Sequence, residues 1–250
     1  MRALVLSDIH ANIDALQAVL NAAPAHDMVW DLGDVVGYGG APNEAVDCMR
    51  ALGKVHVRGN HDRVCCGIAS SDSFNAVAYK AVQWTRSALT ADSLAWLSNM
   101  SQGPVMPDGP AVSCVHGSPL DEDDYVIGMG DACAPLLYSQ TRITFFGHTH
   151  LQGCFSLSDQ GWSQPLQRFN RGNDAVQMSL PLDAATRYMV NPGSVGQPRD
   201  EDWRAAFALY DDEAMQIEFF RVPYDIAAAQ KCIREAGLPG RLASRLSEGR

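Results

Sequence analysis

No apolar stretch in this sequence approaches the roughly 20 residues of a membrane span. The amino-terminal "MRALVLSDIH" turns polar after six residues, too soon for the apolar core and cleavage site of a secretory signal. Positive charge is scarce: 19 Lys and Arg stand against 29 Asp and Glu, a formal charge of −10. That balance argues against a surface built to neutralise a nucleic-acid backbone or to lie on anionic lipid. The seven cysteines form no CxxC spacing, and the adjacent Cys65 and Cys66 make a poor disulfide, so reduced thiols and a cytoplasmic location are expected. Linkers, internal repeats and low-complexity segments are also missing. The 250 residues therefore read as a single domain, 1–250, long enough to bury a core without covalent staples.

What is present first is a regular alternation. Ala3 to Leu6 is a buried-strand run, Asn12 to Asn21 is helical with Ile13, Leu16, Val19 and Leu20 on one face, and Met28 to Leu32 is a second strand. Asn43 to Leu52 and Lys54 to Val57 continue the pattern as a second helix and a third strand. A β-α-β-α-β order predicts a parallel sheet with right-handed crossovers. Ser73 to Asn99 is helical, with a new start at "TADSL" near Thr90. The remainder is richer in short strands: Ala111 to Val115, Arg142 to Phe146, Gln152 to Leu157, Arg187 to Val190, Ala206 to Tyr210 and Met215 to Arg221. The last two are joined by the hairpin signal "DDEA", and a closing helix, Asp225 to Ala236, stops at Gly237.

Polar residues gather at the ends of these strands, where open α/β sheets bind ligands. "SDIH" places Asp8 and His10 after the first strand, "GDVVG" places Asp34 after the second, and "GNHD" places Asn60 and His61 after the third. "VHG" contributes His116, and "GHTH" contributes His148 and His150. Taken singly, each has an ordinary reading: an Asp after a strand is commonly a helix cap, and "GN" is a common turn. Together they use five of seven histidines, leaving only His26 and His56 outside, and all follow a predicted strand. That context favours a metal site.

The ordered set "DIH", "GDVVG", "GNHD", "HG" and "GHTH" resembles the calcineurin-like metallophosphoesterase superfamily. The later "NPGSVGQPRD" and "AGLPGRLASRL" resemble its small bacterial and archaeal phosphodiesterase-like branch. The resemblance covers nearly the whole chain and is specific for the superfamily, though not for a substrate. It implies an α/β (α+β) fold, a four-layer α/β/β/α sandwich of two mixed sheets flanked by helices. It also implies a two-metal site bridged by Asp34, with Asp8, His10 and His150 on one ion and Asn60, His116 and His148 on the other. His61 would stay off the metals and assist the leaving group as a dimetal-bridging hydroxide attacks phosphorus.

Physical chemistry supports such a set independently. One carboxylate can span two cations, and ions about 3.5 to 4 Å apart can clamp both ends of an in-line displacement. Oxygen and imidazole donors without thiolate suit Mn, Fe or Zn. Two divalent ions against two carboxylates leave net positive charge, which reconciles an acidic protein with a phosphate substrate.

Protein phosphatases of the superfamily carry a "VDRG" segment after the bridging Asp, where this chain has Val36, Gly37, Tyr38 and Gly39. The phosphate clamp must then come from elsewhere: Arg199 is the choice, with Arg58 and Arg63 as the other candidates. Tyr38 either stacks on substrate or packs. Asp62 reads as a surface turn residue in preference to a loop-orienting one, and "DEDD", Asp121 to Asp124, as a solvated loop. The function expected is a metal-dependent phosphodiesterase acting on a small phosphate ester or nucleotide. Behind it stand a dinucleotide polyphosphate hydrolase of the diadenosine tetraphosphate type, a phosphomonoesterase or protein phosphatase, and a scaffold resembling the retromer subunit. Oligomeric state is not addressed by the sequence.

Overall fold

The chain opens with β1 (Arg2–Leu6) and α1 (Ile13–Ala22), whose start is fixed by Asn12 accepting from the Ala15 amide at 3.1 Å. The structure is a computed structural model and describes residues 1–107, 111–166 and 169–250. Next come β2 (Met28–Asp31), α2 (Pro42–Leu52), β3 (Val55–His56), α3 (Asn60–Cys65), α4 (Ala76–Ala88) and α5 (Ala91–Ser98). Thr90 caps α5 by accepting from the Ser93 amide at 3.1 Å, which is the break read from the sequence. Beyond them lie β4 (Val112–Cys114), α6 (Met129–Tyr138), β5 (Ile143–Phe145), β6 (Gly153–Ser158), β7 (Gly161–Ser163) and β8 (Val176–Pro181). The chain finishes with β9 (Arg187–Asn191), β10 (Ala205–Asp211), β11 (Gln216–Val222), α7 (Ile226–Glu235), α8 (Gly240–Ser244) and a 3₁₀ turn at Arg245–Glu248.

Two mixed sheets result, one ordered β3-β2-β1-β10-β11-β8 and the other β4-β5-β9-β6-β7. β1, β2 and β3 run parallel, as do β4, β5 and β9, while the remaining neighbours are antiparallel. Strand alternation decides the layers. Ala3 and Val5 turn inward with Trp30, Phe145, Val190 and Phe219 to form the core between the sheets. Leu4 and Leu6 turn the other way, onto Leu16, Val46, Val82 and Ile233 of the helices. On the far side, Ala132 and Leu136 of α6 cover Phe146, Phe155 and Met189. The order is helices, sheet, sheet, helix, as expected. No helix among the described residues is long and apolar enough to cross a membrane.

Five elements lay outside the sequence reading: α3, α6, α8, β7 and β8. α6 carries Gly130 and Pro135 within its span, both of which interrupt a helical pattern by propensity. Packing against the sheet outweighs that cost, and Asp131 secures its start by accepting from the Ile127 and Gly128 amides at 3.1 and 2.9 Å. β8 is an edge strand paired only with β11, where alternate residues need not be apolar.

Phe145 is fully buried and packs edge-on to Trp30 and Tyr210, with ring centroids at 5.8 and 5.7 Å. Phe145→Ala should therefore lower the free energy of unfolding by about 3 to 5 kcal/mol, read as a fall in the urea midpoint at unchanged slope.

Candidate metal centre

The carboxyl ends of five parallel strands converge on one point. Asp8 and His10 follow β1, Asp34 follows β2, Asn60 and His61 open α3 after β3, His116 follows β4, and His148 and His150 follow β5. Backbone bonds tie these loops together: Asp8 N–H to Gly33 C=O at 2.9 Å, His10 N–H to Asp34 C=O at 2.9 Å, and Gly147 N–H to His116 C=O at 2.8 Å. Asp8, His10, Asp34, His148 and His150 all hold positive φ, between 49° and 66°. Non-glycine residues adopt that region at a cost, and persist there where surrounding structure or function demands it. Gly59 is required for a different reason: a Cβ there would overlap the Asp34 carboxylate.

Two groups of donor atoms, each mutually within 4.8 Å, form among the described residues: Asp8, His10, Asp34 and His150, and Asp34, His116 and His148. Asp34 belongs to both, its Oδ2 lying 3.6 Å from His10 Nε2 and 3.6 Å from His116 Nε2. Asn60 Oδ1 reaches His116 Nε2 at 3.3 Å, so it joins the second group. His61 belongs to neither. All of these except Asn60 are buried.

The hydrogen bonds fix the tautomers. His10 Nδ1 faces Val36 C=O at 3.1 Å, His150 Nδ1 faces Gln197 C=O at 2.6 Å, and His116 Nδ1 faces Leu32 C=O at 2.8 Å. A carbonyl only accepts, so each Nδ1 carries a proton and each Nε2 is turned inward. Yet His10 Nε2 and His150 Nε2 stand 3.1 Å apart. Burial, aided by the Arg199 charge and opposed by Asp34, holds both rings well below the ordinary histidine value, so neither carries a second proton to place between them. Two opposed lone pairs in a buried space repel unless a cation lies among them. The second group shows the same demand in another form. Burial opposes charge on His116, but Asp34 and Asp8 prevail and push it up to about 10. A proton there answers a call for positive charge that a metal would answer better. Neutral imidazoles, two carboxylates and an amide oxygen fit hard-to-borderline divalent ions.

The family model of the calcineurin-like phosphoesterase superfamily domain matches residues 1–214. The chain belongs to that superfamily. An uncharacterized protein of Methanocaldococcus jannaschii is 33% identical over 253 residues, spanning 98% of this chain and 97% of its own. The crystal structure of a metallophosphoesterase from Sphaerobacter thermophilus shares 39% identity at a TM-score of 0.83, covering 100% of this chain and 99% of that one. A hypothetical protein of Pyrococcus horikoshii, 18% identical, shares the fold at a TM-score of 0.77 over 100% and 98% of the two chains. Membership in this phosphoesterase family makes metal binding and phosphoester hydrolysis the class of activity.

His61 sits at the edge of a cleft of ≈ 350 Å³ bordered by Tyr38, Asn60, Phe74, Tyr125 and His148. Its ring lies 4.4 Å from Tyr38 and 4.7 Å from Phe74, and its Nδ1 is buried without a partner among the described residues. Burial first, then the charges of Arg199 and His116, lower it to about 4 against the pull of Asp34, so the imidazole is neutral. Tyr38 is itself buried, packing at 4.7 Å from His10.

Three readings of the sequence need correction. Asp62 is no surface residue: fully buried, it accepts from the amides of Asp34 at 2.8 Å, Val36 at 3.1 Å and Gly59 at 3.0 Å, welding the Asp34 loop to the start of α3. Asp121 to Asp124 is not simply solvated, because Glu122 and Asp123 hold the two arginines considered as clamps. Arg58 makes two bonds of 3.0 Å to Glu122, and Arg63 pairs with Glu122 at 3.1 Å and with Asp123. Arg199 meets no carboxylate among the described residues, and its backbone N–H binds His150 C=O at 3.2 Å.

From the loop after β9 the sequence reading took only Arg199 and missed three other residues. Ser194 Oγ donates to Asp8 C=O at 2.7 Å, Asn191 donates to Gly147 C=O at 2.9 Å, and Gln197 supplies the carbonyl that orients His150. Their signal was "NPGSVGQPRD", noted above for its resemblance, in which nothing marks these side chains as partners of the Asp8, Gly147 and His150 loops.

Asp62→Ala would strand three buried amides. It should cost about 3 to 5 kcal/mol by urea denaturation, and a loss under about 1 kcal/mol would mean that water replaces the carboxylate.

Proposed function

We propose that this chain is a phosphodiesterase with a dinuclear metal centre. The reading rests on one observation: imidazole donors oppose each other on both sides of Asp34 Oδ2, leaving two adjoining positions that call for positive charge. Asp8, His10 and His150 would hold one ion, Asn60, His116 and His148 the other, with Asp34 shared. Bound divalent ions supply Lewis acidity at phosphoryl oxygen and a nucleophilic water at neutral pH. Manganese, iron and zinc all match the donor set.

The chain's own residues supply the remainder. Arg199, free of carboxylates, donates to non-bridging phosphoryl oxygens and favours the charge that grows there in the transition state. His61, neutral and facing the cleft, donates an N–H to the leaving oxygen. The bond from water to phosphorus forms as the ester bond breaks, and one of the water's two protons passes to the departing alkoxide while the other goes to the phosphate or solvent, giving an alcohol and a phosphomonoester. Tyr38 and Phe74 hold the His61 ring from two sides and shield it from bulk water.

A diester is favoured over a phosphoprotein because the residues after Asp34 offer no second Arg or Asp at the cleft. Tyr38, Phe74 and Tyr125 along the opening suit a small ester with a flat or apolar leaving group, a nucleotide included. Seven free cysteines fit a reducing, cytoplasmic setting.

With manganese bound, the protein should hydrolyse bis-p-nitrophenyl phosphate faster than the mono-ester, with dinucleotide polyphosphates assayed alongside. No turnover of any of the three would refute the reading. His61→Ala should keep its metal and lose about 10²- to 10³-fold in kcat, and metal loss in that variant would move His61 into the ligand set. Asp34→Asn should lose both ions by elemental analysis, whereas His150→Ala should retain one.

A further inference from the structure

Two guanidiniums lie over the Tyr38 ring, and the reading above uses only one. Arg199 Cζ is 5.8 Å from the ring centroid, and Arg245 Cζ, from the carboxyl-terminal 3₁₀ turn, is 5.9 Å from it. In an acidic chain most arginines near this end of the fold are committed to carboxylates: Arg58 and Arg63 to Glu122, Arg204 to Asp202, Arg221 to Asp200, and Arg241 to Glu248. Arg245 meets no side-chain carboxylate among the described residues. Its Nε donates to the main-chain oxygen of Arg250, and its two terminal nitrogens have no hydrogen bond there. Glu248, on the same turn, is already taken by Arg241 at 3.2 Å. Among the described residues the Arg199 side chain donates to Gln197 Oε1 at 3.1 Å, and its buried Nε has no partner.

Two like charges against one ring repel, and burial together with Arg199 pushes the Arg245 guanidinium down to about 10. Cation–π attraction repays only part of that cost. The position is nonetheless held firmly. Leu242, Ala243 and Leu246 on either side of Arg245 are buried in the helical core, and Gly249 C=O accepts from Glu201 N–H at 2.9 Å. A half-buried arginine fixed beside a second one, with both terminal nitrogens unbonded among the described residues, is arranged for an anion.

The two arginines differ in reach. Arg199 adjoins the centre through the His150 carbonyl, and its charge is felt at Asp8, His10, His61, His148 and His150. Arg245 meets the centre only through Tyr38, which stacks on His10 and His61. We propose that Arg245 is a specificity-determining residue that binds a second phosphoryl group of the substrate, beyond the scissile one, on the Tyr38 side of the cleft. This rests on the phosphodiesterase reading and narrows it to esters carrying a further phosphate.

Calorimetric titration of the manganese-loaded full chain with propyl phosphate, and with the bisphosphates of propane-1,3-diol, butane-1,4-diol and hexane-1,6-diol, tests this. Wild type should bind at least one bisphosphate about tenfold more tightly than propyl phosphate. Arg245→Met should abolish that gain and Arg245→Lys should keep part of it. Arg234→Met, which removes an exposed charge from the neighbouring α7 without freeing a carboxylate, should keep all of it. No gain in wild type, a gain that survives Arg245→Met, or an equal fall in Arg234→Met overturns the proposal. Binding is read without turnover, so a protein that shows the contrast yet hydrolyses no diester leaves the Arg245 role standing and refutes the phosphodiesterase reading instead.

Discussion

Lone pairs that face each other without a proton between them organise this molecule. His10 and His150 meet nitrogen to nitrogen at 3.1 Å, each with its other nitrogen committed to a backbone carbonyl, and Asp34 stands beside them with an oxygen shared by the second group. Nothing in the hydrophobic effect or in backbone hydrogen bonding favours such an arrangement. Buried polar groups without partners cost free energy, so a cluster of them must be held by forces outside itself and repaid by something that binds.

The holding is visible at each strand end. Five of the residues around the centre adopt left-handed backbone conformations, a strain that α/β packing absorbs because the loops bond to one another as well as to their own strands. Asp62 is the clearest case. Its carboxylate has no role toward a substrate, yet it gathers the amides of Asp34, Val36 and Gly59 and so sets where the shared carboxylate points. Burial and the Asp34 charge push the Asp62 carboxyl up, while the three donors favour its ionised form. Such tension is tolerable beside a cation and expensive without one.

Much of this was legible in the amino-acid sequence, because chemistry at strand ends leaves compact signatures. "DIH", "GDVVG", "GNHD" and "GHTH" each couple a turn-permitting residue to a metal-ligand type directly after an apolar run, and the alternating strands and helices gave the layer order. What stayed hidden depends on partners distant in sequence. A surface turn and a buried threefold acceptor look alike at Asp62 until the Asp34 loop is seen folded over it. Arg58 and Arg63 looked free because Glu122 is 64 and 59 residues away along the chain. The orienting carbonyls of Val36, Leu32 and Gln197 carry no side-chain signature at all. α6, with its internal proline, forms only because sheet packing overrides propensity.

The acidic composition takes on a different sense in this light. Carboxylates occupy most arginines among the described residues, so those without a side-chain carboxylate near Tyr38 stand out, and bound ions would concentrate local positive charge beside them. The central claim is that two cations, not one, complete the cluster. Anomalous diffraction from crystals grown with manganese, recorded on both sides of its absorption edge, tests it most directly. Two peaks per chain are predicted, one among Asp8, His10, Asp34 and His150 and one among Asp34, Asn60, His116 and His148; a single peak, or peaks away from Asp34, would contradict it.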